Sequence, residues 1–186
     1  MKTLRYLAIL LCLVGALLVQ AQEYRPKQGE TVMKIAVEGR GNVFIRLFTK
    51  EAPRTTSRII ELAKTGFYDG QRFHRVLRSP RPYLVQMGAP SSRDKDLDDK
   101  DLVTEGTGKK IPYEASGVSN DAEGIVGLSA ETNNRDSGDC QFYILLGPAK
   151  FLDGNYTVFG KVVSGMDVVK KVEKGDRVVS VTIVQG

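Results

Sequence analysis

Residues 151–169 read FLDGNYTVFGKVVSGMDVV and join a strand-like run directly to the start of a helix. The run YTVFGKVV is rich in β-branched and aromatic residues and follows a Gly-Asn pair, which is typical of a strand that leaves a turn. Ser164 and Asp167 then form a variant of the capping box that begins many helices. An apolar stripe and a closing glycine complete the helix signal: Val168, Val169, Val172 and Gly175. This stretch therefore predicts one strand followed by one short helix.

Strand-like runs of the same kind recur along most of the chain. VMKIAVE and VFIRLF, separated by the turn-forming GRGN at 39–42, predict a β-hairpin near the beginning. FHRVL, YLVQM, GIVGLSA and CQFYILL follow, and VVSVTIV ends the chain with Val179, Val181 and Ile183 predicted to point inward. Many short strands separated by glycine-rich turns predict an antiparallel barrel or sandwich.

A further helix is predicted between the hairpin and FHRVL. Pro53 suits the first turn of a helix, and Gly66 is a typical C-terminal stop. Between them, Ile59, Leu62 and Ala63 have helical spacing. The chain should therefore contain two helices and otherwise consist of strands and loops.

The first 21 residues have the features of a secretory signal peptide. Lys2 and Arg5 precede an uncharged apolar run from Leu7 to Val19, and Ala21 provides a small-residue cleavage site. The apolar run is shorter than the roughly 20 residues that cross a bilayer, although a retained anchor is the open alternative. We predict a signal peptide over 1–21, a flexible lead-in over 22–31 and one domain over 32–186, in a periplasmic or secreted protein without stable membrane insertion.

Charge and cysteine content narrow the functional classes. The full chain has a formal charge of +5, which falls to +3 when Lys2 and Arg5 leave with the signal peptide. Lysines and aspartates are interleaved without a basic block, which argues against nucleic acid as a partner. Cys140 is the single cysteine after residue 21, so we predict neither an internal disulfide nor a thiol or metal centre. The sequence indicates a monomer without cofactors.

One acidic segment copies part of a calcium-binding loop. Asp94, Asp96 and Asp98 alternate, and Glu105 stands at the twelfth position, as in an EF-hand. However, Asp99 occupies the position that requires glycine, and flanking amphipathic helices are missing from the pattern. A solvated loop is the favoured interpretation, and calcium binding is the lesser alternative.

Five stretches, taken in chain order, resemble the cyclophilin family of peptidyl-prolyl isomerases. They are FYDGQRFHRVL, YLVQMGAP, GIVGLSA, CQFYILL and the stretch at 151–169. The resemblance extends over roughly Val32 to Val184 and is closest to exported bacterial members. It implies a mainly β fold, a closed eight-stranded antiparallel barrel capped by two α-helices. It also implies an isomerase that acts on X-Pro bonds of unfolded or flexible polypeptide clients and assists folding outside the cytoplasm.

The resemblance further implies which residues form the site. Arg75 corresponds to the catalytic arginine of the family, and Gln86 to the glutamine that helps to hold it and binds the substrate backbone. Gln141 corresponds to another polar group of the site. The other implied substrate contacts are His74, Tyr83, Leu84, Ser129, Ala130, Tyr143, Phe151, Leu152 and Tyr156, among which Tyr83, Leu84, Tyr143 and Leu152 would surround the proline ring.

The implied chemistry needs no bond to the substrate. Rotation of an X-Pro amide has a barrier of roughly 18 to 20 kcal/mol because amide resonance must be broken. In the twisted amide the proline nitrogen gains a lone pair, so a cation with directional donors beside that nitrogen favours the twisted state. The guanidinium of Arg75 is permanently charged and planar, which suits this role. Because amide rotation takes no proton from the substrate, the neighbouring His74 is not needed as a base and would line or brace the site.

Departures from the family pattern leave two alternatives open. The segment VLRSPRPYLV between Arg75 and Gln86 is three residues longer than usual, and Ser129-Ala130 replaces the usual Ala-Asn pair. A cyclophilin-like module that binds proline peptides with little turnover is one alternative. The other is a hydrolase that uses His74, although the sequence has no G-x-S-x-G or comparable nucleophile motif.

Overall fold

The computed structural model describes residues 23–81 and 83–186. The strands are β1 Thr31–Val37, β2 Gly41–Leu47, β3 Arg75–Leu77, β4 Leu84–Met87, β5 Ile125–Leu128, β6 Phe142–Leu145, β7 Val158–Ser164 and β8 Val178–Gln185. The α-helices are α1 Pro53–Lys64 and α2 Met166–Lys171. Short 3-10 helices lie in the connections at Pro90–Arg93, Lys100–Val103, Arg135–Ser137 and Lys150–Leu152. The predicted mainly β fold with two helices is confirmed.

The predicted hairpin and both helices are present. β1 and β2 pair antiparallel, with Met33 opposite Ile45. α1 begins at Pro53 and buries its apolar face against the core. The capping box predicted for α2 is absent, because the N-cap is Gly165 and no side chain caps the helix. Gly165 has φ 85°, and a Cβ there would lie 2.2 Å from the carbonyl oxygen of Asn42, so close backbone packing determines this start.

The predicted closure of the barrel is wrong. The strand order is β3-β4-β6-β5-β7-β2-β1-β8, and the result is an open half-barrel with β3 and β8 at its edges. Within the described residues, β3 and β8 share no strand ladder. The chain before β3 instead makes an isolated bridge between Arg72 and Arg177, and Gly70 donates to the carbonyl of Val178 at 2.8 Å. Because β3 has three residues and the chain before it turns, these edges cannot pair along their length.

The inward position predicted for Val179 is also wrong. Its side chain is 55% exposed, whereas Val178 and Val181 are buried. The pairing of β8 with β1 shifts between Ala36 and Val37, so that Val179 has no partner across the ladder. A bulge of this kind adds a residue to one strand and reverses the faces on its far side.

Alternation along the central strands divides the apolar residues into two clusters. Val85, Phe142 and Ile144 face the main core with α1 and α2. Their neighbours Leu84 and Tyr143 point to the opposite face. There they form a smaller cluster with Ile125, Leu145, Ala149, Leu152 and Val158. The central strands thus have a second apolar face, and residues of the segments 118–122 and 149–156 pack on it.

The amino-terminal segment ends against the last strand. The amide of Gly29 donates to Gly186 and the amide of Gly186 donates to Glu30, which extends the pairing of β1 with β8. The hydroxyl of Tyr24 also donates to Glu30 at 2.8 Å. The predicted signal peptide lies outside the described residues. Within residues 23–81 and 83–186, no helix is both long enough and apolar enough to span a bilayer.

Candidate active site

A row of paired residues crosses the sheet on the face of the smaller cluster. Arg75 of β3 lies opposite Gln86 of β4, and Gln86 lies opposite Tyr143 of β6. Cross-strand partners project from the same side of a sheet. The strand register therefore places a cation, an amide and an aromatic ring side by side.

A chain of hydrogen bonds fixes the polar part of this row. Nη1 of Arg75 donates to Oε1 of Gln86 at 3.2 Å, and Nε2 of Gln86 donates to Oε1 of Gln141 at 2.8 Å. Nε2 of Gln141 donates in turn to the carbonyls of Leu102 and Glu105, each at 2.7 Å. Within the described part of the chain, Arg75 forms no salt bridge with a carboxylate. Its charge is therefore held in place without being neutralised.

The row opens into a cavity of about 210 Å³. Nine of the predicted site residues line it: Arg75, Tyr83, Leu84, Gln86, Ser129, Ala130, Tyr143, Leu152 and Tyr156. Leu84, Tyr143 and Leu152 are buried and supply an apolar wall beside the guanidinium of Arg75. The rings of Tyr143 and Tyr156 meet edge to face with centroids 5.9 Å apart. A cation and an apolar pocket thus share one cavity.

Three predicted site residues lie outside this cavity. Gln141 lines a neighbouring cavity of about 240 Å³, which shares Ser129 and Ala130 with the first. Phe151 is 60% exposed and packs on Tyr83 with ring centroids 5.2 Å apart, at the rim of an outer groove. His74 is only 4% exposed and lines none of these cavities.

Burial sets the protonation state of His74. Burial, together with the charge of Arg75, lowers the pKa of the imidazole from 6.5 to about 4. Neither ring nitrogen has a hydrogen-bond partner among the described residues. A general base that activates a nucleophile must be within hydrogen-bonding reach of it. The geometry of His74 therefore gives no support to the hydrolase alternative.

The family model for cyclophilin type peptidyl-prolyl cis-trans isomerases (Cyclophilin type peptidyl-prolyl cis-trans isomerase/CLD) matches residues 32–185. The chain belongs to the cyclophilin family. A peptidyl-prolyl cis-trans isomerase of Helicobacter pylori is 34% identical over 76% of this chain and 80% of its own length. Another, from Synechococcus elongatus, is also 34% identical, over 78% of this chain and 91% of the relative. These matches identify the activity as peptidyl-prolyl cis-trans isomerisation.

Other comparisons concern a longer relative and the fold. Peptidyl-prolyl cis-trans isomerase-like 2 of Rhizopus delemar is 37% identical over 72% of this chain, but the match spans only 23% of that relative. A crystal structure of a cyclophilin type isomerase from Cryptosporidium parvum has a TM-score of 0.70, covers 84% of this chain and 99% of its own, and is 19% identical. A second structure of that protein was determined in the presence of the dipeptide Ala-Pro. At this identity the structures show the fold.

The long segment between β3 and β4 forms the loop of a hairpin in this cyclophilin. The amide of Tyr83 donates to the carbonyl of Leu77 at 2.9 Å and closes the loop. Nη2 of Arg78 donates to the carbonyls of Lys170 and Val172, each at 2.7 Å. The loop is thereby tied to the carboxyl end of α2, where exposed carbonyls favour a cation.

Several carboxylates of the acidic segment at 94–105 contact other groups of the protein. Asp98 pairs with Lys174, and Asp99 lies 3.2 Å from the ammonium of Lys95. Glu105 accepts from the amide of Ser91 at 2.9 Å and also contacts the hydroxyl of Ser91. No three His, Cys, Asp or Glu residues gather to hold a metal ion within residues 23–81 and 83–186.

The cavity also contains four residues that sequence reasoning missed. Val103 and Thr104 come from a 3-10 helix and the residue after it, and Glu131 and Thr132 from the loop between β5 and β6. All four lie in irregular segments without a periodic pattern. For Glu131 and Thr132, the one available signal was their position directly after the predicted Ser129-Ala130 pair.

Proposed function

We propose that this cyclophilin isomerises X-Pro bonds of unfolded or flexible polypeptides in the cavity beside Arg75. The observation that supports this proposal most directly is the position of the Arg75 guanidinium. It is hydrogen-bonded to Gln86, it lies next to an apolar wall, and it forms no ion pair with a carboxylate of the described residues. In this proposal the proline ring occupies the apolar part of the cavity, formed by Tyr83, Leu84, Tyr143 and Leu152. The relative studied with the dipeptide Ala-Pro supports a proline-containing peptide as the class of ligand.

Arg75 is the proposed catalytic residue. When the amide twists, its nitrogen loses resonance with the carbonyl and becomes a better hydrogen-bond acceptor. A guanidinium donor at that nitrogen stabilises the twisted state more than the planar one and so lowers the barrier. Since the guanidinium stays charged throughout, the reaction requires no proton transfer from the enzyme.

Gln86 and the loop segment after β5 are proposed to position the substrate. The side-chain oxygen of Gln86 holds Arg75, and Gln141 holds the amide of Gln86. In the proposal Gln86 also bonds the substrate backbone, as does the main chain at Ser129-Ala130. Tyr156 and Phe151 border the path by which the polypeptide leaves the proline pocket. His74 directly precedes Arg75 in the chain, and in the proposal its buried ring contributes packing beside the site.

An isomerisation assay without a coupling protease tests this site. Its substrate is a short Ala-Pro peptide, and the enzymes are wild type, Arg75→Ala and Arg25→Ala. Arg25 is an exposed arginine of the amino-terminal segment and serves as the matched control. We expect Arg75→Ala to lower kcat/KM at least about tenfold, or 1.4 kcal/mol, and Arg25→Ala to change it less than about twofold. Equal activity of Arg75→Ala and wild type would place the reaction elsewhere and favour a different site.

We further propose that the protein works outside the cytoplasm, in the manner of exported bacterial cyclophilins. The supporting feature is the amino-terminal sequence, in which a basic start, an apolar run and Ala21 follow one another. The proposed mature protein starts at Gln22 and acts as a monomer on folding clients. Amino-terminal sequencing of the full chain expressed in a bacterium checks the cleavage. If the protein were found only in the cytoplasmic fraction and still began at Met1, export would be contradicted.

A further inference from the structure

The aromatic wall of the proline pocket carries a buried hydroxyl. Tyr143 is only 2% exposed, and its ring lines the cavity beside Gln86. A phenol hydroxyl removed from water needs an acceptor, because an unpaired buried polar group is costly. The hydroxyl of Tyr143 donates to Oδ1 of Asn120 at 2.8 Å. Asn120 is itself fully buried and lies outside the set of residues that line the cavity.

Asn120 has its own fixed partner. Its side-chain Nδ2 and its backbone amide both donate to Oδ1 of Asp153, at 2.9 and 2.7 Å. The hydroxyl of Ser119 donates to the other carboxylate oxygen at 2.6 Å. Because a carboxylate accepts and does not donate, Asp153 determines which end of the Asn120 amide faces it. The oxygen of Asn120 is therefore turned toward Tyr143.

The close approach of β5 to the ring shows that the position of the ring is closely defined. A Cβ on Gly127 would lie 2.2 Å from the hydroxyl oxygen of Tyr143 and 2.3 Å from the adjoining ring carbon, so β5 leaves space for this ring through a glycine. Asp153 directly follows Leu152, which forms another part of the cavity wall. The hydrogen bonds from Asp153 through Asn120 thus join two walls of the same pocket.

We propose that Asn120, held by Asp153, is a positioning residue for the isomerase. It keeps the hydroxyl of Tyr143 pointing away from the cavity, so that the flat ring faces the proline. This inference rests on the proposed function, since it takes the cavity beside Arg75 as the substrate site. Without the Asn120 oxygen, the hydroxyl must find water or another acceptor, and the ring turns or tilts into the pocket. Substrate binding then weakens, while the guanidinium that acts on the twisted amide stays in place.

A double-mutant cycle tests the proposal. The variants are Asn120→Leu, Tyr143→Phe and the two combined, with KM and kcat measured on an Ala-Pro peptide and the thermal midpoint measured for each protein. Tyr143→Phe keeps the ring and removes the group that needs Asn120. We expect Asn120→Leu to raise KM at least fivefold in the wild-type background with kcat changed less than twofold. In the Tyr143→Phe background the same substitution should change KM less than twofold.

Two further variants provide a replacement for Asn120→Leu and a control for the loss of a tyrosine hydroxyl. Asp153→Asn, read in both backgrounds, replaces Asn120→Leu if the latter fails to fold, and we expect the same dependence on the Tyr143 hydroxyl. Tyr24→Phe removes a hydroxyl that donates to Glu30 and does not line the cavity, and it should leave KM unchanged. An equal loss of activity in both backgrounds would show a purely structural role and overturn the proposal. So would an unchanged KM in stable Asn120→Leu. Failure of the site itself is seen separately, as undiminished activity of Arg75→Ala.

Discussion

Arg75 and Gln86 face each other across β3 and β4, and the guanidinium of Arg75 donates to the side-chain oxygen of Gln86 at 3.2 Å. The amide of Gln86 continues this contact to Gln141 at 2.8 Å. Two neutral amides therefore orient a cation without cancelling its charge. This arrangement differs from an ordinary surface ion pair, in which the arginine is bound to a carboxylate.

Loss of the Gln86 amide should impair catalysis by releasing Arg75. We expect Gln86→Leu to lower kcat/KM by about tenfold, or 1.4 kcal/mol, in the protease-free assay. Gln71→Leu is the matched control, because Gln71 is equally buried and donates to the carbonyl of Phe67 outside the site. Retention of more than half of the wild-type activity by Gln86→Leu would show that Arg75 is positioned by other contacts.

His74 should affect stability more than activity. We expect His74→Gln to keep much of the activity, in contrast to Arg75→Ala. The folded-state pKa of His74 is depressed to about 4 from 6.5. As the pH falls, the histidine of the unfolded chain is therefore protonated before that of the folded protein. The stability present above pH 6.5 is lost as the pH falls from 6.5 toward 4. This linkage makes the wild type about 2 kcal/mol less stable at pH 5 than at pH 7.

Urea unfolding of wild type and His74→Gln at the two pH values measures this effect. The sequence contains a single histidine, so the variant isolates its contribution. A pH dependence between 7 and 5 that is the same in both proteins would contradict the low pKa of His74.

Glu114 should stabilise the start of α1. The N-cap Ala52 has no side chain that can cap the helix. Instead Glu114 accepts from the amides of Arg54 and Thr55, at 3.0 and 2.8 Å, and from the hydroxyl of Thr55 at 2.7 Å. Burial alone would raise the pKa of Glu114, but the hydrogen bonds from Thr55 and Arg54 lower it on balance. Its stabilisation is therefore complete above the usual pKa of a glutamate and is lost as the pH falls below it.

We expect Glu114→Gln to lower the free energy of unfolding by about 1 to 2 kcal/mol at pH 7, with the difference shrinking at acidic pH. Glu38→Gln is the control, since Glu38 is an exposed residue in the turn between β1 and β2. Chemical denaturation at several pH values provides the measurement. A difference that does not depend on pH would mean that the charge of Glu114 is unimportant for α1.

The anchored loop between β3 and β4 should affect substrate binding. Arg78 joins this loop to the end of α2, and Tyr83 at the other end of the loop lines the cavity beside Arg75. We expect Arg78→Ala to raise KM about two- to fivefold with little change in kcat, because an untethered loop holds Tyr83 less firmly. Arg81→Ala, a change at another exposed arginine of the same loop, is the control. Equal effects of the two substitutions would point to loop charge as the cause.

The sequence predicted most of the elements because their signals are local. Alternating apolar residues gave the hairpin and the other strands, and Pro53 with Gly66 marked α1. The order of the family motifs predicted Arg75, Gln86 and seven other residues that line the cavity. The start of α2 was predicted for the wrong reason, since packing of Gly165 against Asn42 replaces the expected cap.

The remaining features depend on contacts between residues far apart in the chain. A one-residue shift against β1 turned Val179 outward, and the shortness of β3 left the barrel open. Val103, Thr104, Glu131 and Thr132 reach the cavity from irregular loops. No local pattern encodes such placements, because they depend on how loops pack over a finished sheet.

The sequence by itself determined which chemical groups the site contains: one permanent cation, two glutamines and an apolar set with a tyrosine at position 143. Only the tertiary structure decided how those groups are oriented. The carboxylate of Asp153 orients the amide of Asn120, and the oxygen of that amide accepts from the hydroxyl of Tyr143. Hydrogen bonds are directional and act over about 3 Å. Their partners are therefore defined by the fold, which brings distant residues within that range.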